Sequence, residues 1–251
     1  MADSAGGSQA AAEPRGRGEG WIMIKKASSY FSTEDRNTIA DAVAEAEKKT
    51  SAEIVPVAAT VSGRYDRAED IFGFLFALVF LAGAECLSTN LLAGTLQWGA
   101  VPSDAEGLPL IHTIVILMVG GILGTALATF FPILRQPFIP KKEMAEEVER
   151  RAAEAFQKFR VRKTQGAHGV LIYVSVYEQM ARVMGDDAIV EKLDQKVWED
   201  ICALVVRGMR DGQPGAGYKQ AILKCADVLE PHFPVQPGDV NELSNELRII
   251  D

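Results

Sequence analysis

The stretch from Leu108 to Leu134, LPLIHTIVILMVGGILGTALATFFPIL, carries no Asp, Glu, Lys or Arg. A bilayer core of about 30 Å takes roughly 20 mostly apolar residues in a helix, and this stretch supplies them. A helix at the surface of a soluble domain keeps a polar face, which this one lacks. A second apolar run, Ile71 to Leu92, lies just upstream, with Glu85, Ser88, Thr89 and Asn90 making its far end polar. Glu85 is tolerable near a bilayer interface and costly at the centre. The expectation is two membrane helices joined by a loop, Ala93 to Gly107. The alternative is a pair of buried core helices.

Charge sets the expected orientation. Between Ile71 and Leu134 there is no Lys or Arg, and the charges are Glu85, Asp104 and Glu106. Arg64 and Arg67 flank one side; Arg135, Lys141 and Lys142 flank the other. The excess of basic residues on cytoplasmic segments predicts that both flanks, and both termini, face the cytoplasm. The two polar portions of the chain then share one side of the membrane and are free to meet. A net charge of −8 argues against a nucleic-acid surface, which needs a basic stripe. Cys86, Cys202 and Cys225 form no C-x-x-C pair and are expected as reduced thiols.

Met1 to Gly20 has no apolar run and is expected to be disordered. Trp21 to Ile24 is a short apolar patch, suited either to the membrane surface or to the domain. Ser32 to Lys49 reads as a helix opened by a Ser32–Asp35 capping box, with Ile39, Val43 and Ala46 on one face. Glu53 to Val61 reads as a strand, and Pro56 favours an edge position or a bulge. Lys141 to Arg160 reads as a helix with an apolar stripe at Met144, Val148, Ala152, Ala155, Phe156 and Phe159. Gly169 to Val176 is apolar almost throughout, as in a central strand; Tyr177 and Glu178 turn it into a second strand, Gln179 to Met184. A long helix is expected from Ala188 to Met209, with Ile189, Leu193, Val197, Ile201 and Leu204 facing the core. Gly208 to Gly217 is glycine-rich and expected as a loop, without the pattern of a phosphate cradle. Tyr218 to Leu229 is the last helix, and the tail after Gln236 is expected to be polar and mobile.

In this order, FSTED (Phe31–Asp35), KKTSAEIVPV (Lys48–Val57), GVLIYVSV (Gly169–Val176), MGDDAI (Met184–Ile189), Val197-Trp198 and HFP (His232–Pro234) make the chain resemble the TPM domain family in its membrane-embedded bacterial form. The resemblance implies an α/β domain, a small central sheet flanked by helices, with a two-helix transmembrane hairpin inserted. The expected division is a disordered tail over 1–29, the first part of the domain over 30–67, the hairpin over 68–136, the second part over 137–236 and a C-terminal tail over 237–251. It also implies a bacterial inner (cytoplasmic) membrane location.

For function, relatives resemble either acid phosphatases or accessory factors for the assembly and repair of membrane complexes. The phosphatase reading rests on an acidic pocket holding a divalent cation, Ca or Mg, and its corresponding positions here are Glu53, Asp186 and Asp187. Many members carry an Asp-Arg pair at the hairpin turn where this chain has Tyr177-Glu178, a departure that weakens the transfer. Adjacent side chains on a helix diverge, so only one of Asp186 and Asp187 is expected to enter a site. The stronger competing reading is that Asp186 caps a helix and Glu53 is a surface carboxylate. His112, His168 and His232 have no metal-triad spacing, and no G-x-S-x-G or Cys/His signature is present. Trp198 reads as core packing or, alternatively, as a docking anchor for a partner. Gly120 and Gly124, with Ala128, form a small-residue stripe suited to the first membrane helix or to a partner's helix. The leading expectation is an accessory module for an integral membrane complex; the runner-up is a metal-dependent acid phosphatase.

Overall fold

The computed structural model describes residues 25–95, 110–161, 168–236 and 241–251. The expected disordered segment up to Gly20, the Trp21–Ile24 patch and the loop from residue 96 onward lie outside them. Among the described residues, 25–64 and 141–251 form one compact unit and 65–140 another.

The first unit is built on a four-stranded sheet. The strands are β1 (Glu53–Ala59), β2 (Gly169–Ser175), β3 (Met180–Gly185) and β4 (Arg248–Ile250), in the order β3-β2-β1-β4. β1 runs parallel to β2 from Glu53↔Gly169 to Ala59↔Ser175, and β3 pairs antiparallel to β2 through the Val176–Gln179 turn. Every residue of β1 and β2 is buried, as their unbroken apolar runs require.

Two expectations about strands are corrected. The C-terminal tail is not free: Arg248–Ile250 pairs parallel to β1 at Val57–Ala59. β1 is therefore interior, despite Pro56. The missing donor is harmless because amides alternate in direction along a strand. Glu53 donates toward β2, to His168 O, and Thr60 donates toward β4, to Ile250 O. Pro56 has the parity of Thr60, and on that side β4 begins only opposite Val57.

Helices cover both faces. Short α1 (Ala27–Tyr30) replaces the end of the expected disordered tail. α2 (Thr33–Ala46) starts with the expected capping box, and it buries Ile39, Val43 and Ala46. α5 (Lys141–Lys158) buries Met144, Val148, Ala152, Ala155 and Phe156, while Phe159 lies beyond its end. The expected long helix is two: α6 (Asp187–Val190) and α7 (Gln195–Arg210), with Asp194 as the N-cap of α7. The restart rotates the buried stripe onto Trp198, Ile201, Cys202, Val205 and Met209, leaving Leu193, Val197 and Leu204 only half-buried. The glycine-rich stretch is not a loop either. α7 runs into it and α8 (Pro214–Leu229) begins within it. A Cβ on Gly208 would lie 2.4 Å from Gly217 Cα, so the two glycines let α7 and α8 cross in backbone contact.

The second unit is a helical hairpin inserted in the sequence between β1 and α5. It consists of α3 (Asp66–Thr95), α4 (Leu110–Phe130) and a short 3-10 turn at Gln136–Phe138. Contacts of Gly73 with Gly124, of Ala77 with Gly120 and of Glu69 with Arg135 make the pair antiparallel. Asp66–Leu87 and Leu110–Phe130 are long and apolar enough to cross a membrane, and only 11% of each window is buried. Among the described residues, every exposed large apolar side chain except Val235 lies between Ile71 and Ile133. Gly120, Gly124 and Ala128 are buried against α3: a Cβ on Gly124 would lie 2.7 Å from Phe76 Cβ, and one on Gly120 3.0 Å from Ala77 Cα. The partner-helix reading of this stripe is thus corrected, because α3 already fills it.

Candidate functional site

The alternation of side chains along the strands sorts the polar residues of the sheet. Odd-numbered residues of β1 and β2 face α5, as do Met180, Arg182 and Met184 of β3, which pair with them. Two polar groupings result, one at each end of the sheet.

The first lies where β1 and β2 begin. Glu53, Gly169 and Asp186 form one cross-strand row, for Glu53 pairs with Gly169 and the Asp186 N–H donates to Gly169 O at 3.0 Å. Two strand spacings separate Glu53 from Asp186, so their backbones are about 10 Å apart. Both carboxylates are covered, Glu53 at 8% exposure and Asp186 at 2%. Asp186 Oδ2 accepts from the Gly169 N–H at 3.2 Å, and Glu53 Oε1 accepts from the Glu242 N–H at 3.0 Å. Asp187 is exposed, so the adjacent carboxylates diverge. Asp186 holds the N-cap position of α6 but makes no side-chain cap, and Glu53 is not a surface carboxylate; both sequence alternatives are corrected in that detail. A hard cation takes six to eight oxygens. Two of the three expected ligands share this sheet end, and among the described residues no group of three or more His, Cys, Asp or Glu is placed to hold a metal ion. His168 and His232, unlinked by spacing, both flank the Phe233 ring, at 4.4 and 6.4 Å between centroids.

The second grouping, at the opposite end, centres on Glu178, which the sequence alone marks only as a turn residue. Glu178 is 3% exposed. Its Oε1 accepts from the Ser62 and Gly63 N–H groups at 2.9 and 3.3 Å, and its Oε2 accepts from the Ser175 hydroxyl. Ser62 Oγ lies 2.9 Å from the Tyr173 hydroxyl. Burial, opposed by that hydrogen bond, raises the Tyr173 hydroxyl well above its ordinary range, so it stays protonated. Arg182, opposite Tyr173 in the ladder, donates to Glu149 of α5 at 2.8 Å. The charge run of α5 is therefore not wholly a solvated face. Glu178 binds the segment by which the chain leaves β1 toward α3. Its signal in the sequence was slight: one acidic residue beside a buried apolar run.

Trp198 is 1% exposed, and the Gly185 position lies against its ring. The docking-anchor reading is corrected: Trp198 is core. Cys202 and Cys225 are buried and Cys86 is exposed; burial pushes the Cys225 thiol up to about 12, so it is inert.

Comparison with known proteins agrees with this architecture. Residues 139–229 match the family model described as the TPM domain. Among solved structures, the chain is similar to the NMR structure of the BA42 protein from the psychrophilic bacterium Bizionia argentinensis. The two are 18% identical; the alignment covers 89% of this chain and 97% of that one, with a TM-score of 0.51. At that identity the likeness speaks for the fold. No curated protein matches the chain. Over residues 139–229 the chain is similar to the TPM domain, and its first unit has an α/β fold with a small mixed sheet flanked by helices.

Proposed function

We propose that this chain is a membrane-anchored TPM-domain protein acting as an accessory module, in assembly or repair, for an integral complex of the same membrane. The observation that carries the reading is the outward apolar surface of α3 and α4. In water such a surface is a large unfavourable exposure; in lipid it is the ordinary state. The basic flanks favour the cytoplasmic side of a bacterial inner membrane for the domain and both termini. The buried carboxylates support the same reading, because Glu53, Asp186 and Glu178 each hold backbone amides of the domain's own chain. The test is affinity purification from native membranes under mild detergent. The expected result is stoichiometric recovery of one integral membrane complex, lost when α3 and α4 are exchanged for an unrelated hairpin. Recovery of the chain alone from both preparations overturns the reading.

The second reading, a metal-dependent acid phosphatase, has one observation in its favour: Glu53 and Asp186 flank Gly169 in a single row. Calorimetric titration with Ca²⁺ and Mg²⁺ decides it. Binding abolished by Asp186→Asn and Glu53→Gln, together with phosphate release from an aryl phosphate, would favour the enzyme.

A further inference from the structure

The outer edge of β1 is held by the chain's own last segment, 241–251, which crosses it from end to end. At the start of β1, Glu53 accepts from the Glu242 N–H, and Glu47 Oε2 accepts from the side-chain amides of Asn241 and Asn245 at 3.0 Å each. In the middle, β4 pairs with Val57–Ala59. At the far end the Thr60 N–H donates to Ile250 O, and the Asp251 carboxylate accepts from the Ser28 N–H and hydroxyl and from the Thr60 hydroxyl. Thr60 Oγ1 in turn accepts from the Ala27 N–H at 2.8 Å.

This grip is polar and shallow. The β4 ladder spans three residue pairs where the β1–β2 ladder spans seven. Within 241–251 only Leu247 is buried, whereas every residue of β1 is. A strand edge released from such a partner presents unpaired amides and carbonyls, a template for another strand. The segment in place also defines what the edge accepts. Arg248 lies over the Phe159 ring, 5.7 Å from its centroid, Ile249 and Ile250 go to opposite faces, and the carboxylate of Asp251 closes on two hydroxyls.

We propose that the β1 edge is a strand-docking site, kept closed by 241–251, that accepts an extended partner segment of the same chemistry: a basic residue, two apolar residues and then a carboxylate. The proposal rests on the accessory-module reading and gives that module its contact surface. The experiment measures the edge alone, so it can fail while copurification succeeds, and the reverse.

The probe is a fluorescein-labelled peptide with the sequence of residues 241–251, titrated by anisotropy onto the detergent-purified chain lacking that segment. Saturable binding is expected, with the intact chain binding about tenfold more weakly because its own segment competes. Asp→Asn at the peptide's last position, or Thr60→Val in the protein, is expected to weaken binding by about tenfold. A cooperatively melting shortened chain that binds no peptide, or binds the Asn peptide equally well, overturns the proposal. Should the shortened chain not melt cooperatively, hydrogen exchange on the intact chain decides. The Thr60 amide, bonded to Ile250 O, is then expected to exchange about tenfold faster than the Val176 amide, bonded to Ala59 O, and Asp251→Asn should accelerate Thr60 alone. Equal rates at the two amides overturn the proposal.

Discussion

α4 and α7 are both regular helices, yet they bury opposite kinds of residue. α7 buries Trp198, Ile201, Cys202 and Val205 and turns Lys196, Glu199 and Asp200 outward. α4 buries Gly120, Gly124 and Ala128 and turns Ile111, Val115, Met118 and Ile122 outward. In the α/β unit large apolar side chains leave water for a core, and that transfer drives packing. Between α3 and α4 the gain comes from close backbone approach instead, as expected where the surroundings are as apolar as leucine. The contrast is what the proposed membrane location of the hairpin requires, and four experiments can break or sharpen it.

The largest effect is expected from separating the two regions. Replacing 65–140 with a flexible linker should give a detergent-free protein that melts cooperatively. The fragment 141–236 alone should not, since β2 would lose its seven-residue pairing with β1 and α8 its packing with α2. A fragment that melts cooperatively and as high as the joined chain would make the two polar portions independent.

Next comes Trp198→Ala. Emptying a fully buried site beside Gly185 should cost about 3–5 kcal/mol in denaturant unfolding of the joined domain. A loss near zero would mean that α7 is not core-packed.

Gly124→Leu should act only on the hairpin. Its first side-chain atom already meets Phe76 and Gly73, and overpacking of this kind costs about 1–3 kcal/mol. The expected readout is loss of disulfide cross-linking between Cys pairs placed across α3 and α4, with the domain's melting unchanged. A shift in the domain instead would erase the distinction between the regions.

The smallest effect is electrostatic. Hydrogen bonds from Ser28 and Thr60 hold the Asp251 carboxyl below its ordinary 3.8. A carboxyl whose folded pKa is depressed adds stability above the unfolded value and loses it as pH falls through the folded one. Asp251→Asn should therefore lower the melting temperature slightly at neutral pH, and the difference should shrink as pH drops below about 4. A difference that persists in stronger acid would mean the carboxylate charge is not what holds 241–251.

Local patterns were legible in the residues themselves. The Ser32–Asp35 capping box, the buried run of β2, its turn into β3, the α5 stripe and the two apolar spans each depend on neighbours a few positions away. Such signals survive without knowledge of the fold. The division of the glycine-rich stretch and the break before Asp194 were less legible, because a glycine reads as a loop until a second glycine from another helix is seen against it. Glu53 looked like a ligand or a surface group. Only the return of the chain, 189 positions later, shows that it holds the Glu242 amide. Glu178 looked like a turn residue until the exit of β1 was found donating two amides to it.

The sequence by itself determined most of the helices, the strands β1 to β3, the apolar character of the hairpin and the mixed α/β class, since short-range periodicity and capping encode them. The tertiary structure alone decided that β1 lies inside the sheet, that three residues near the C-terminus close its edge, and that the acidic residues hold backbone rather than gather together. Apart from Asp186 on Gly169, those outcomes depend on pairings between residues more than a hundred positions apart. A strand of three residues carries too little periodicity to announce itself, and a carboxylate's partner is set by which amides the fold brings within hydrogen-bonding distance of it.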